Sequence, residues 1–319
     1  MRRLLVALIT AVTVLVGAAA CESDDKAPAK TPANDRITVG VIPIVDVAPI
    51  YLGKQKGFFA AHGIDLDLVL EQGGAPIIKG VLGGKYQFGF SNMTSLMAAK
   101  ADGAPLKAVA AGVSSTGRAG RDFSGIVVPP GCPIRSPRDL AGKRVGVNVL
   151  RSLGDTTIRE SVRRSGGDAT AIAFEAFPFP QIPGRLQAKK LDAAWLVEPQ
   201  LSEAITLGCQ VITSNFVDTA PDLTVAAYFT ATDLINRDPE LVTRFTEAIN
   251  ESLRYADDHG DEVRDVVGTY TPINDTVRLM MILPNWPAAI NRSSVERLAL
   301  LGGKDGLFTK SPPLDDLLP

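Results

Sequence analysis

Five short loops hold most of the side chains that could touch a ligand. They are Ile44-Val45-Asp46-Val47-Ala48, Gln72-Gly73-Gly74-Ala75, Ser91-Asn92-Met93-Thr94, Asn148 to Gly154, and Trp195-Leu196-Val197-Glu198-Pro199. Each follows a β-branched or apolar run, which places it at the carboxyl end of a strand, where open α/β sheets bind ligands. Several open directly into a helical pattern, and the unpaired N–H groups of a helix start suit carboxylate, sulfonate, nitrate or phosphate oxygens. Arg151 suits the same anions, whereas Asp46 and Glu198 suit an amine or ring N–H. The candidate ligand-binding residues are therefore Asp46, Val47, Gly73, Gly74, Ser91, Asn92, Met93, Thr94, Arg151, Ser152, Leu153, Gly154, Trp195 and Glu198. Each has a purely structural alternative. Ser91, Asn92 and Thr94 can cap their own helix, Gly73 and Gly74 can serve a turn, Arg151 can be solvated, and Trp195 can be core.

Catalytic patterns are missing from the sequence. It has no Gly-x-Ser-x-Gly elbow and no His-Glu-x-x-His, and Gly303-Lys304-Asp305 lacks the rest of a phosphate loop. The two histidines, His62 and His259, each precede a glycine at an expected helix end, where a cation meets the negative end of the dipole. Nucleophile–base catalysis, a resident metal and an organic cofactor are accordingly not expected. Lys plus Arg (33) against Asp plus Glu (35) gives a net charge of −2, without the basic footprint of a nucleic-acid binder.

Three cysteines remain to be placed. Cys21 follows a basic start (Met1-Arg2-Arg3), an apolar run and the small residues Gly17-Ala18-Ala19-Ala20. Residues 1–20 thus read as a signal peptide. The Cys after the small residues resembles a bacterial lipobox, with Ala18 where such motifs prefer Leu; the alternatives are a plain secretory signal or an anchor helix. Residues 21–36, rich in Ala, Pro, Lys and Asp, read as a lipidated flexible tether. In an oxidising compartment Cys132 and Cys209 are then the pair available for a disulfide, against the alternative of two free thiols.

The elements that position the loops form two series of alternating strands and helices. The first has strands at Ile37–Ile42, Asp65–Leu70, Tyr86–Phe90 and Leu106–Val113, with helices between, the first of them over Pro49 to Ala61. The second starts at Ser136-Pro137-Arg138-Asp139, a capping box with proline at the first helical position. Its strands are Arg144–Val149, Ala171–Phe174 and Leu191–Val197. Both first strands carry Val-Gly-Val, and Val39 to Phe88 and Val145 to Ala194 share one spacing of 49 residues. Strands separated by helices predict parallel sheets with right-handed crossovers. Thr224–Thr230 reads as a strand returning to the first lobe, and helix 239–256 carries a core-facing stripe of Leu241, Phe245, Ile249 and Leu253. The expected lobes are 37–126 with 214–319, and 127–213.

Val39-Gly40-Val41-Ile42-Pro43, Ala48-Pro49-Ile50-Tyr51-Leu52-Gly53, Gly57-Phe58-Phe59, Gly89-Phe90-Ser91-Asn92, Asp139 to Val145, Leu191 to Pro199 and Asn236 to Val242 stand in an order that spans nearly all of the chain after the leader. This pattern resembles the substrate-binding proteins of ABC importers for nitrate, sulfonates, taurine and the pyrimidine precursor of thiamine. The resemblance implies a type II periplasmic-binding-protein fold: two α/β lobes, a two-stranded hinge and a central cleft. It also implies a lipid-anchored, extracytoplasmic monomer that captures a small polar, anionic or heterocyclic solute and delivers it to a permease and its ATPase. By the same analogy the loops at Asp46, Gly74, Asn92, Arg151–Gly154 and Glu198 line the cleft. The alternative is a same-fold enzyme, such as a pyrimidine-precursor synthase or an exported hydrolase.

Overall fold

The computed structural model describes residues 34–319. The expected signal peptide, the expected lipidation site at Cys21 and most of the expected tether lie outside the described residues. Two five-stranded sheets organise the chain. The first contains β1 (Asp35–Val41), β2 (Ile64–Leu70), β3 (Phe88–Asn92), β4 (Leu106–Ser114) and, after an excursion, β10 (Thr224–Ala231), in the order β2-β1-β3-β10-β4. The second contains β5 (Ser124–Val128), β6 (Arg144–Val147), β7 (Ala173–Ala176), β8 (Ala193–Val197) and β9 (Gln210–Thr213), in the order β7-β6-β8-β5-β9. The plan is the same in both: three parallel strands joined through helices, then one antiparallel strand inserted before the edge.

The repeated spacing holds to within one residue. Val39 lies opposite Phe88, 49 residues on, whereas in the second sheet Val145 lies opposite Ala193 and Gly146 opposite Ala194, a register of 48 rather than the expected 49. The apolar stripe of the helix Pro239–Asp258 is buried as its period requires, with Phe245 stacked on Phe88 at 3.8 Å. Ser136 and Asp139 form the expected capping box, here on a short 3₁₀ turn.

Four expectations need correction. The sheets are mixed, because β10 runs antiparallel to β3 and β4 and β5 runs antiparallel to β8 and β9. The cause is the route of the chain: it leaves one sheet for the other and must come back. The lobe boundaries shift accordingly. Residues 124–126 pair in the second sheet, and the helix Asn215–Thr219 packs on the helix Leu153–Arg164, so the crossings are 115–123 and 220–223. Asp35 and Arg36 belong to β1 rather than to a tether. Gly57, with a left-handed φ of 82°, breaks the expected long helix into Ala48–Lys56 and Phe58–Ala61.

The expected disulfide is also absent. Cys132 and Cys209 are free thiols, Cys209 buried and Cys132 packed half-buried against the core, where each serves as a small apolar side chain.

Candidate functional site

The loops at the carboxyl ends of β1, β3, β6 and β8 meet across the gap between the sheets. They enclose a cavity lined by Ile42, Ile44, Asp46, Phe90, Asn92, Asn148, Leu153, Phe179, Trp195, Val197, Phe216, Val225 and Ala226. Its room for solvent is about 20 Å³, enough for one water. The cleft is therefore closed, and a solute can enter only if the lobes part.

Of the sequence-derived candidates, Asp46, Asn92, Leu153 and Trp195 line this cavity. Asp46 sits in a short 3₁₀ turn, Val45–Val47, that follows β1. Its carboxyl is buried, and Oδ1 has no hydrogen-bond partner in the structure. Burial pushes its pKa up to about 7, with the charge of Asp122 adding in the same direction. Three tyrosines share its surroundings: Tyr51, Tyr228 and Tyr270, the first and last stacked at 4.0 Å. The backbone is pinned by the Trp286 indole, which donates to Asp46 O at 3.1 Å. Asn92 caps the helix Met93–Ala101 by accepting from Ser95 N–H at 2.9 Å, and it also accepts from the Thr94 hydroxyl at 2.7 Å. Trp195 spends its indole N–H on Ser124 Oγ at 2.8 Å, so what it offers the cavity is its ring.

Other candidates serve packing. Val47 and Met93 are core residues and Thr94 supports the Asn92 cap. Gly74 and Gly154 allow close approach: a β-carbon there would overlap Ser91 and the Trp195 ring, respectively. Ser91 is buried behind Gly74 with its hydroxyl unpartnered.

The remaining candidates close the seam around the cavity. Ser152 Oγ lies 3.2 Å from Ser95 Oγ and donates to Asn92 Oδ1 at 3.4 Å. Gly73 lies against Val149 of the opposite loop. Arg151 is exposed and donates to Gly306 O at 2.6 Å, so it is a rim clasp rather than a cavity residue. Its position depended on where residue 306 comes to rest, which no local pattern announces. Glu198 is likewise a strut. Its carboxylate accepts from Ser202 N–H (3.0 Å), the Ser202 hydroxyl (2.8 Å) and Ile282 N–H (3.1 Å), while its carbonyl accepts from Val45 N–H at 3.0 Å. Burial raises its pKa to about 7 even though these donors and Arg264 pull the other way. Further along the seam, Arg163 pairs with Asp305 at 2.6 Å and with Glu160 at 3.0 Å, and Arg297 pairs with Glu160 at 2.6 Å.

Phe90, Phe179 and Phe216 are cavity residues missing from the candidate set. Phe179 had a signal: Phe177-Pro178-Phe179-Pro180 comes directly after the carboxyl end of β7. Phe216 had none, since it arrives from the helix Asn215–Thr219 beyond the last strand of its sheet.

Residues 44–263 match the family model described as NMT1/THI5 like. The chain belongs to that family. Among relatives of this NMT1/THI5-like chain, the riboflavin-binding protein RibY of Chloroflexus aurantiacus is 24% identical over 282 residues, covering 84% of this chain and 76% of that one. The 4-amino-5-hydroxymethyl-2-methylpyrimidine phosphate synthase of Uromyces fabae is 30% identical over 99 residues, 31% of this chain and 27% of its own length. Among solved structures, the ligand-binding component of an ABC-type import system from Staphylococcus aureus, with zinc bound, superposes with a TM-score of 0.77 at 16% identity. That match covers 90% of this chain and 97% of the other. The likeness shows the two-lobed periplasmic-binding-protein fold. Among the described residues, no group of three or more His, Cys, Asp or Glu side chains is placed to hold a metal ion. No helix among them is long and apolar enough to cross a membrane.

Proposed function

We propose that this chain is the extracytoplasmic solute receptor of an ABC importer, anchored by lipid at Cys21, which shuts its lobes on one small organic solute and passes it unchanged to a permease. The observation that carries this reading is the closed cavity itself. It lies where strand ends of both sheets converge, and it is sealed by polar contacts between lobes that only two chain crossings join. Such a seam lets a bound solute bias an open–closed equilibrium, provided it touches both lobes. Asp46 and Asn92 come from one sheet and Leu153 and Trp195 from the other, so one molecule in the cavity meets that condition.

The synthase match gives an enzymatic alternative a footing, but the cavity lining contains neither His nor Cys to act as base or nucleophile. The test is to identify by mass spectrometry whatever co-purifies with the exported protein, remove it and add it back. A receptor compacts in small-angle scattering, gains about 2.7 kcal/mol of stability at a hundredfold excess over Kd, and returns the solute unaltered. Formation of a product, or absence of compaction at saturation, overturns the reading.

A further inference from the structure

The cavity has a charge character that the helix starts around it did not suggest. Among its lining residues the one ionisable side chain is Asp46; no Arg, Lys or His reaches it. Four aromatic rings, Phe90, Phe179, Trp195 and Phe216, form much of the wall. Trp195 meets Phe179 and Phe216 edge-on at 5.3 Å and 5.9 Å. Arg151, the cation expected there, is committed outside to the carbonyl of Gly306. Asn92 already accepts two hydrogen bonds from its own helix.

An oxyanion would fare badly in this setting. It would lose its hydration, face a carboxyl group and a wall of aromatic rings, and find no charged side-chain donor among the lining residues. A cation gains on each count, because ring quadrupoles attract positive charge and a desolvated carboxylate pairs with it. The unpartnered Oδ1 of Asp46 is the matching vacancy on the protein side: a buried acceptor that a ligand N–H or positive centre satisfies.

We infer that the solute is a small organic cation, a nitrogen heterocycle or amino-substituted ring carrying positive charge, held by the Asp46 carboxylate among the Phe90, Phe179, Trp195 and Phe216 rings. The inference rests on reading the interlobe cavity as the solute site. It narrows the ligand away from nitrate and sulfonates and makes Asp46 the residue that sets specificity. The titratable groups whose charge is felt at Asp46 are Asp122 and the phenols of Tyr228 and Tyr270, none of them a cation. In the empty protein burial holds the Asp46 carboxyl near the point of half-protonation at pH 7, so a permanent cation must displace a proton to bind.

Calorimetry on the solute-free protein tests this with N-methylpyridinium and 4-aminopyridine against methanesulfonate and nitrate, with toluene as the neutral shape control. The cations are expected to bind and the anions not. Asp46→Asn, checked for folding by circular dichroism, is expected to weaken N-methylpyridinium roughly thirtyfold or more while leaving toluene unchanged. Below pH 7 the affinity for N-methylpyridinium is expected to fall by up to about tenfold per pH unit, and Asp46→Asn to abolish that slope. The inference is overturned if neither cation binds, if an anion binds more tightly, or if Asp46→Asn binds N-methylpyridinium like the parent. Closure on an anion would still leave the receptor reading standing, whereas failure of the co-purified solute to close the cleft removes the receptor reading itself.

Discussion

The cavity and the seam around it use polar side chains in opposite ways. On the cavity wall Asp46 keeps an oxygen with no partner, and so does Ser91 behind Gly74. Around the rim the polar groups are matched: Arg163 with Asp305 and Glu160, Arg297 with Glu160, Glu198 with three donors, Ser152 with Asn92. Unmatched buried groups raise the free energy of the empty closed form, and matched ones lower it. The division of labour follows: the seam favours closure for any occupant, and the cavity decides which occupant completes it.

The largest consequence is a pH dependence. Asp46 and Glu198 both have folded-state pKa values raised to about 7, so the folded chain holds protons that the unfolded chain has released. Their contribution is present in full below the unfolded values near 4 and is lost as pH rises to about 7. Stability of the solute-free protein should fall by on the order of a few kcal/mol between pH 4.5 and about 7.5 and then level off. Denaturant midpoints across that range check it. Below about pH 4 the trend should reverse, since Asp139, Asp192 and Glu71, whose pKa values are lowered by hydrogen bonds they accept, lose their charge.

Breaking the seam separates its role from the cavity's. Glu198→Ala leaves Ser202 N–H, its hydroxyl and Ile282 N–H without their acceptor, and about 2–3 kcal/mol of stability should go with it. Arg163→Ala breaks a bridge between the helices Leu153–Arg164 and Arg292–Lys304, at a site where Arg163 is 19% and Asp305 9% exposed. We expect roughly 1–2 kcal/mol of lost stability and weaker binding of every ligand by the same factor, measured by calorimetry on a cation and on toluene. A change in selectivity between them would blur the contrast. Arg151→Ala should do least. It removes the rim bonds to the Gly306 and Leu307 carbonyls and keeps a left-handed φ of 53° that alanine tolerates no better, leaving thermal unfolding within about 1 kcal/mol and affinity within about twofold.

Much of the architecture was legible because it is written in local periodicity. Apolar runs, capping residues and a spacing matched to within one residue placed the two series of strands, and the i+4 stripe from Leu241 to Leu253 placed the longest helix among the described residues. β5 escaped because Ser124–Val128 has no helix before it and joins its sheet only by crossing from the other lobe. The candidate site was half legible for a related reason. Strand ends announce themselves, so Asp46, Asn92, Leu153 and Trp195 were found. Whether a charged residue near such an end faces the cavity or the rim depends on distant segments, as Arg151 on residue 306 and Glu198 on Ile282 show. The positive helix starts pointed to anions; Asn92 caps the helix Met93–Ala101, the helices Gly74–Leu82 and Leu153–Arg164 carry no side-chain cap, and the one ionisable side chain on the cavity wall is the acid Asp46.

The most direct test is a crystal structure of the protein with its co-purified solute. The solute is expected between the sheets, with a positively charged or N–H-bearing ring within hydrogen-bonding distance of Asp46 and in contact with Trp195. A solute bound outside this cavity, or an oxyanion lying inside it with Asp46 turned away, would contradict the account.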